Sequence, residues 1–521
     1  MSIHKLSIAR LAGAAAPLAC VLLGATTAQA QTARDPLQLE PSPTDHVGEA
    51  RANAAPNAQQ RAPEQLVRLQ PLVGVRTLVT DNVYLTPSNK IADVIVNPFV
   101  GVSGYAVGPR SAANLDFAVG YDSYSRAHQF NGFSFTGMGS GEYDIVPRFL
   151  TFEAFGSVDN GNVSVADKAA LDRSGIQGRT RVIDLAAGPR LTTTIGDLAD
   201  LQAVARVGFV NYHTADGSAP VGSLPEDSTT REVNIGATTG HRFASHELRL
   251  SAIYQADDND FTRYTGLASV FVPIATDLRV LARGGGDDIE QKGVIHIQSP
   301  IWTVGLEYDL NPSSYIRVEG GRRYHDTNFA AESLITLTDS FYLFGSYVER
   351  ILPPQLAMQD SFLGFVANSQ TFPQPLAGGD FRIEGPLVND ISKDKVGRVD
   401  AVYTWIDQSF SVSASWRRQH FLTSLTADES LYASVSYGRR MRPDLRGEVS
   451  LSYDRQLNDD VFGHVDNVGA RATLVYDLNP SVEFTGGYAY SSGGGSNGTG
   501  TGIRGQGGAE NIVFATMVKR F

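Results

Sequence analysis

The sequence predicts an all-β chain: a transmembrane antiparallel β-barrel of about 22 strands, within a range of 18–22. Three observations predict it. Apolar and polar residues alternate with period 2 over segments of roughly ten residues, the length a tilted strand needs to cross a bilayer. The connections between those segments alternate short and long. The chain closes on "NIVFATMVKRF", an alternating segment that ends in an aromatic residue, Phe521.

Taken in chain order, residues 1–30 are expected to be a secretory signal peptide. "MSIHKLSIAR" is a short basic opening with Lys5 and Arg10. "LAGAAAPLACVLLGATTA" is an apolar core, and "AQA" at 28–30 is a small-x-small cleavage signal that places the cut between Ala30 and Gln31. A lipoprotein reading would cut before Cys20, but Pro17 stands three residues ahead of it, where Leu is usual. Cys20 is the only cysteine, so the processed chain would hold no disulfide although it leaves the reducing cytoplasm. Residues 31–64 are rich in Ala, Pro, Gln and charge, show no period, and read as a flexible periplasmic lead. Beyond residue 30 no run of ~18 apolar residues occurs, which leaves no spanning helix.

From residue 65 to 521 the alternation gives strands at 67–79, 92–106, 112–123, 131–145, 149–158, 180–193, 201–213, 230–242, 247–256, 262–274 and 277–286. The second half gives 298–310, 314–324, 328–338, 340–350, 396–406, 409–420, 430–441, 445–455, 466–478, 481–491 and 510–521. In "WTVGLEYDL" one face carries Trp302, Val304, Leu306, Tyr308 and Leu310, and the other Thr303, Gly305, Glu307 and Asp309. "VGARATLVYDL" and "LQAVARVGFVNY" divide the same way, with Gly, Ser, Thr and charge on the polar face.

The short connections, among them "VGPRS", "VPR", "GDLAD", "ATD", "DQS", "RPD" and "NPS", hold the Pro, Asp, Asn and Ser of tight turns. The long ones include 159–178, 214–230, 351–395 and the Gly-rich stretch after Ser492. A soluble sandwich has no reason to gather its long loops at one end, whereas an outer-membrane barrel keeps short turns on the periplasmic side and long loops outside. If residue 65 enters from the periplasm, the short turns share that side and Phe521 ends there. "YDLNPS" occurs twice, from Tyr308 and from Tyr476. Each copy reads as a strand end, a turn at Asn-Pro-Ser and a new strand, with the Tyr in an interfacial aromatic girdle.

Two segments, "LEYDLNPSSYIRVEGGRRYHDTNF" (306–329) and "ISKDKVGRVDAVYTWIDQSFSVSASWRRQHFL" (391–422), together with the closing "KRF", resemble the porin-like outer-membrane β-barrel proteins associated with exopolysaccharide and PEP-CTERM loci. The resemblance implies an outer-membrane location and a part in exopolysaccharide secretion, with polysaccharide-export components as partners. It carries over no functional residue. The terminus resembles the last strand of bacterial outer-membrane proteins, which implies that the barrel-assembly machinery reads Phe521 as an assembly signal. Lys519 departs from that pattern, which usually has an apolar residue there.

By alternation the inward face should hold Arg206, Arg249, Arg279, Arg283, Arg317, Arg323, Arg398, Arg417 and Arg471, with Glu247, Glu307, Asp309, Glu319, Asp400 and Glu448. Mixed charge inside a wide barrel can filter solutes through its field, or can simply pair and hydrate the lumen. An Arg facing lipid near the midplane would cost roughly 2–4 kcal/mol. Acidic groups at 257–260, 287–288 and 459–460 are placed at outer loop tips, where lipopolysaccharide brings divalent cations, but the spacing of a calcium loop is absent. The Gly-rich stretch lacks the strand-loop-helix setting of a phosphate loop. His325–Asp326 and His464 near Asp466 are the only suggestive pairs for catalysis, so no catalytic, metal or cofactor site is assigned. The net charge of −12 argues against a nucleic-acid partner. Lipid and lipopolysaccharide of the outer membrane are the expected surroundings. The functions left open are a conduit for polymer or solutes, a non-conducting surface scaffold, and, least of all, an enzyme.

Overall fold

The computed structural model describes residues 66–162, 179–214, 226–243, 246–311, 314–338, 340–356, 390–459, 465–495 and 508–521. The expected signal peptide with its Ala30–Gln31 cleavage point and the expected lead at 31–64 lie outside them.

The first half of the chain forms β1 (Leu66–Thr80), β2 (Asp93–Val107), β3 (Ser111–Tyr124), β4 (Gly132–Val146), β5 (Leu150–Asn162), β6 (Arg179–Ile195), β7 (Ala199–Thr214), β8 (Ser228–Thr239), β9 (Glu247–Asp257), β10 (Phe261–Pro273) and β11 (Leu278–Gln291). The second half forms β12 (Ile295–Asn311), β13 (Ser314–Arg323), β14 (Asp326–Thr338), β15 (Phe341–Leu352), β16 (Ser392–Trp405), β17 (Gln408–Phe421), β18 (Ala427–Arg442), β19 (Leu445–Asp459), β20 (Val465–Asn479), β21 (Val482–Gly495) and β22 (Ala509–Arg520). Each strand pairs antiparallel with its sequence neighbour, and β1 pairs with β22 from Leu72↔Arg520 to Thr80↔Ile512. The sheet is a closed 22-stranded barrel with no free edge. Closure is what lipid demands, because an unpaired backbone N–H or C=O in hydrocarbon costs several kcal/mol.

Alternation along each strand separates two faces. On β12 Trp302, Val304, Leu306 and Tyr308 are 54%, 57%, 46% and 41% exposed, whereas Thr303 and Glu307 between them are 7% and 1%. The apolar face is the one that meets lipid.

Both "YDLNPS" copies show the same register irregularity ahead of the turn. Register shifts between Asp309 and Asn311 and again between Asp477 and Asn479, so a β-bulge at Leu310 and at Leu478 precedes each turn. Asn311 then pairs with Ser314, and Asn479 with Val482, leaving two residues in each turn. In the second copy Asn479 Oδ1 accepts the Ser481 N–H at 2.9 Å, the side chain mimicking a backbone turn. Pro312 and Ser313 of the first copy lie outside the described residues. Similar shifts occur beside the β4–β5, β14–β15 and β18–β19 turns, all at this same end.

Three expectations about connections need correction. β11 runs to Gln291, so Asp287 and Asp288 sit within a strand and not at a loop tip. The ladder survives "GGGDDIEQ" because β12 supplies an equally long partner, from Leu278↔Tyr308 to Gln291↔Ile295. Length also fails to separate the two ends cleanly. The connections at 258–260, 292–294 and 324–325 are tight although they lie at the loop end. The β8–β9 connection at the turn end is longer and carries a 3-10 turn at His241–Phe243. The long segment expected at 351–395 is trimmed on both sides, since β15 reaches Leu352 and β16 starts at Ser392.

At the loop end, Leu78, Val83, Ile95, Tyr124, Ile512 and Phe514 form one buried cluster across the β1–β22 seam. A second gathers Phe261, Ile289, Tyr324, Ile351, Leu356 and Ile391. Leu356 belongs to a short helical turn that leaves β15, and Gln355 beside it donates from Nε2 to the Glu226 carbonyl at 3.1 Å, just ahead of β8.

Candidate functional site: the polar wall of the barrel

Register aligns charges of opposite sign across successive strands. Arg279 of β11 faces Glu307 of β12, Glu307 faces Arg317 of β13, and Arg317 faces Glu332 of β14. Arg317 reaches Glu307 through Nη2 at 2.6 Å and Nε at 2.8 Å, and approaches Glu332 at 3.7 Å. Arg279 pairs with the same Glu307 and lies 3.6 Å from Asp309 and 3.9 Å from Glu247. Glu247 also pairs with Arg249. The Phe271 ring underlies the group, 4.4 Å from the Arg249 guanidinium and 5.7 Å from that of Arg317. One step nearer the loops, Arg283 meets Glu319 at 3.2 Å, and the Thr303 hydroxyl donates to Glu319 at 3.2 Å.

On the neighbouring wall Arg206 of β7 reaches across β6 to Glu153 of β5 at 2.5 Å and lies 3.4 Å from Glu232 of β8. The side chain passes over Gly188, the residue of β6 in register with Glu153. Arg190 extends the group to Glu142 at 3.2 Å. Past β15, Arg398 binds Asp400 at 2.6 Å, Ser413 Oγ donates to Asp400 at 2.5 Å, and Arg417 binds Asp394 at 2.7 Å. Arg471 of β20 lies 4.7 Å over the Phe514 ring. The residues named from the sequence therefore fall into three ion-paired groups on β5–β8, β9–β14 and β16–β17, with Glu448 of β19 and Arg471 of β20 apart from them. β17 adds Ser409, Ser411, Ser413 and Ser415 to the same polar face, and Ser411 Oγ lies 2.7 Å from Ser436 Oγ on β18.

Asp287, expected at a loop tip, is instead a buried anchor: Arg323 donates to it from Nε at 2.6 Å, the Thr265 hydroxyl at 2.5 Å, and Arg263 approaches at 3.6 Å. Arg263 had no signal beyond its parity on β10. Asp257 accepts the N–H groups of Asn259 and Phe261 at 2.9 and 3.1 Å, which caps the tight β9–β10 turn. Asp258 is partly desolvated, yet the Ser228 hydroxyl and the Thr229 N–H hold its carboxyl below the usual range. The side chains of 459–460 and the Gly-rich stretch 496–507 lie outside the described residues.

Of the suggestive histidine pairs, only His325–Asp326 lies wholly within the described residues. His325 donates its backbone N–H to Ser299 Oγ at 3.1 Å, and Asp326 binds Lys393 at 3.0 Å, so this pair ties a hairpin tip to its neighbours. Asp466 lies 3.5 Å from Arg455 and accepts the Tyr453 hydroxyl, while His464 lies outside the described residues. Among the described residues no group of three or more His, Cys, Asp or Glu is placed to hold a metal ion. At the terminus the Phe521 N–H donates to the Pro71 carbonyl at 2.9 Å, and Lys519 Nζ lies 4.7 Å over the Phe521 ring. The lysine that departs from the terminal pattern thus lends its cation to the aromatic face.

A closed 22-stranded antiparallel barrel with one apolar face is an integral β-barrel of the bacterial outer membrane. No protein-family model and no curated protein matches the chain. Among solved structures it is similar to Acinetobacter baumannii OccAB3 (9% identity, 87% of this chain and 99% of that one, TM-score 0.36). It is also similar to the siderophore receptor PirA from Pseudomonas aeruginosa (9% identity, 88% and 80%, TM-score 0.41) and to the copper transporter OprC (8% identity, 89% and 81%, TM-score 0.42).

Proposed function

We propose that the barrel is a passive conduit across the outer membrane, with its polar face lining a hydrated lumen. The observation that carries this is the Arg279–Glu307–Arg317–Glu332 row, which continues charge of both signs across four strands on the face opposite the lipid-facing residues. Such a row sets up a transverse field that orders water and favours hydrated solutes over apolar ones. The solute is either a general set of small hydrophilic molecules or a secreted exopolysaccharide, as the resemblance implies. Export components of the periplasm are partners only in the second case. In planar bilayers the purified protein is expected to give steady, large single-channel openings; a folded but silent barrel contradicts the proposal.

A second reading, a non-conducting surface scaffold, has one observation in its favour. The helical turn after β15 is tied across the loop end by Gln355 and Leu356, which are 2% and 3% exposed. If that turn blocks the mouth, Gln355→Ala with Leu356→Asp opens a silent barrel.

Phe521 acts as the assembly signal in this proposal. Its deletion is expected to lower the outer-membrane level of folded protein several-fold, read by heat-modifiable gel mobility. Unchanged levels remove that role.

A further inference from the structure

A groove of about 420 Å³ is cut into the lipid-facing wall over β13–β18. Its floor is made by Ala331, Ser333, Gly345, Gly397 and Ala414, small residues on four adjacent strands. Register places them on the outward face: Gly345 pairs with Val399, which is 52% exposed, and Gly397 pairs with both Tyr347 and Trp416. Gly397 leaves room for those two rings to close over it, and they stack 6.4 Å apart at 13°. A Cβ on Gly397 would meet the Tyr347 ring at 3.6 Å and the Trp416 ring at 3.9 Å.

Above this aromatic wall, toward the loop end, the outward face turns polar. Tyr347 donates its hydroxyl to Glu349, Trp416 donates its indole N–H to Glu429 at 2.8 Å, and Lys395 binds Glu349 at 3.3 Å. Arg418 stands in register between Lys395 and Glu429, is exposed, and has no ion-pair partner among the described residues. On the far side of the groove Arg322 is likewise exposed and, among the described residues, donates to the His325 carbonyl at 3.5 Å. Glu349 and Glu429 are engaged with these donors, which leaves Arg418 and Arg322 to face an anion at the headgroup level.

We propose that this groove is a binding site for one acyl chain of a phosphorylated glycolipid of the outer leaflet, with Arg418 holding the phosphate. An apolar trench ending under exposed cations matches an acyl chain under an anionic headgroup. The site rests on the outer-membrane reading but not on conduction, since it lies on the opposite face from the polar row.

The test is native mass spectrometry of the detergent-purified full-length protein, titrated with diphosphoryl lipid A or with net-neutral dioleoylphosphatidylcholine. Wild type is expected to retain one lipid A and to favour it over phosphatidylcholine. Arg418→Ala is expected to weaken lipid A retention about fivefold, the effect of one cation near a charged headgroup. Gly397→Leu, which fills the trench, is expected to weaken retention of lipid A while heat-modifiable mobility and single-channel behaviour stay as in wild type. Equal retention of the two lipids, retention unaffected by both substitutions, or a lipid-free dimer that disappears with Gly397→Leu would each overturn the proposal. Failure of the fold itself would show separately, as lost heat modifiability in wild type.

Discussion

Gly188→Val is expected to abolish assembly of the barrel. A Cβ at Gly188 would stand 1.8 Å from the Ala205 carbonyl oxygen and 2.8 Å from the Arg206 Cα, both backbone atoms of the adjacent β7. No side-chain rotation relieves such a collision, so the β6–β7 ladder must open. The same shift withdraws Arg206 from Glu153, which is 3% exposed and depends on that guanidinium and on Arg190 for its charge. Breaking a buried pair costs about 3–5 kcal/mol, to which overpacking adds ~1–3 kcal/mol. That total is comparable to the whole stability of a typical domain. The outer-membrane fraction should contain little or no heat-modifiable band. Gly188→Ala should fail as well, because the collision begins at Cβ. A normal yield of folded Gly188→Val would show that β6 and β7 do not approach as described.

Glu307→Leu is expected to cost about 3–5 kcal/mol, because it removes the carboxylate that the Arg317 and Arg279 guanidinium groups share on a wall where Glu307 is 1% exposed. Adding Arg317→Met should recover a good part of the loss. Removing both members of a buried pair costs far less than removing one, and Arg279 keeps Asp309 and Glu247. The urea midpoint of the refolded protein in detergent measures both variants. If Glu307→Leu shifts stability by less than ~1 kcal/mol, the row is solvated as an exposed pair would be. If the double variant is no better than the single, the pair is not the reason for the loss.

Much of this fold can be read directly from period 2, because a strand with lipid on one side must alternate to avoid placing an Arg in hydrocarbon. The same parity puts Arg279, Glu307 and Arg317 on one face without any contact being known. What parity cannot give is register between strands. That Arg206 pairs with Glu153, two strands away, depends on Gly188 leaving a gap, and a lone Gly in "LAAGPRL" carries no such label. Asp287 was misplaced for a related reason: "GGGDDIEQ" has loop composition, and only a partner of equal length, β12, keeps it in the ladder. The bulges at Leu310 and Leu478 are also silent, since an extra residue beside a turn leaves the apolar pattern intact up to that point. The contact of Gln355 with the Glu226 carbonyl joins segments 129 residues apart, beyond the reach of any local pattern.

The account turns on the polar face being wetted and the apolar face being in lipid. The chain's single cysteine, Cys20, lies in the expected signal peptide, so introduced cysteines report without background. Ser413→Cys stands beside Asp400 on the polar face, and Val399→Cys stands on the apolar face one residue away from Asp400 along β16. A charged, membrane-impermeant methanethiosulfonate added to the protein in planar bilayers is predicted to react at Ser413→Cys, with a stepwise fall in single-channel current, and to leave Val399→Cys unmodified. Reaction at Val399→Cys with Ser413→Cys untouched would contradict the account.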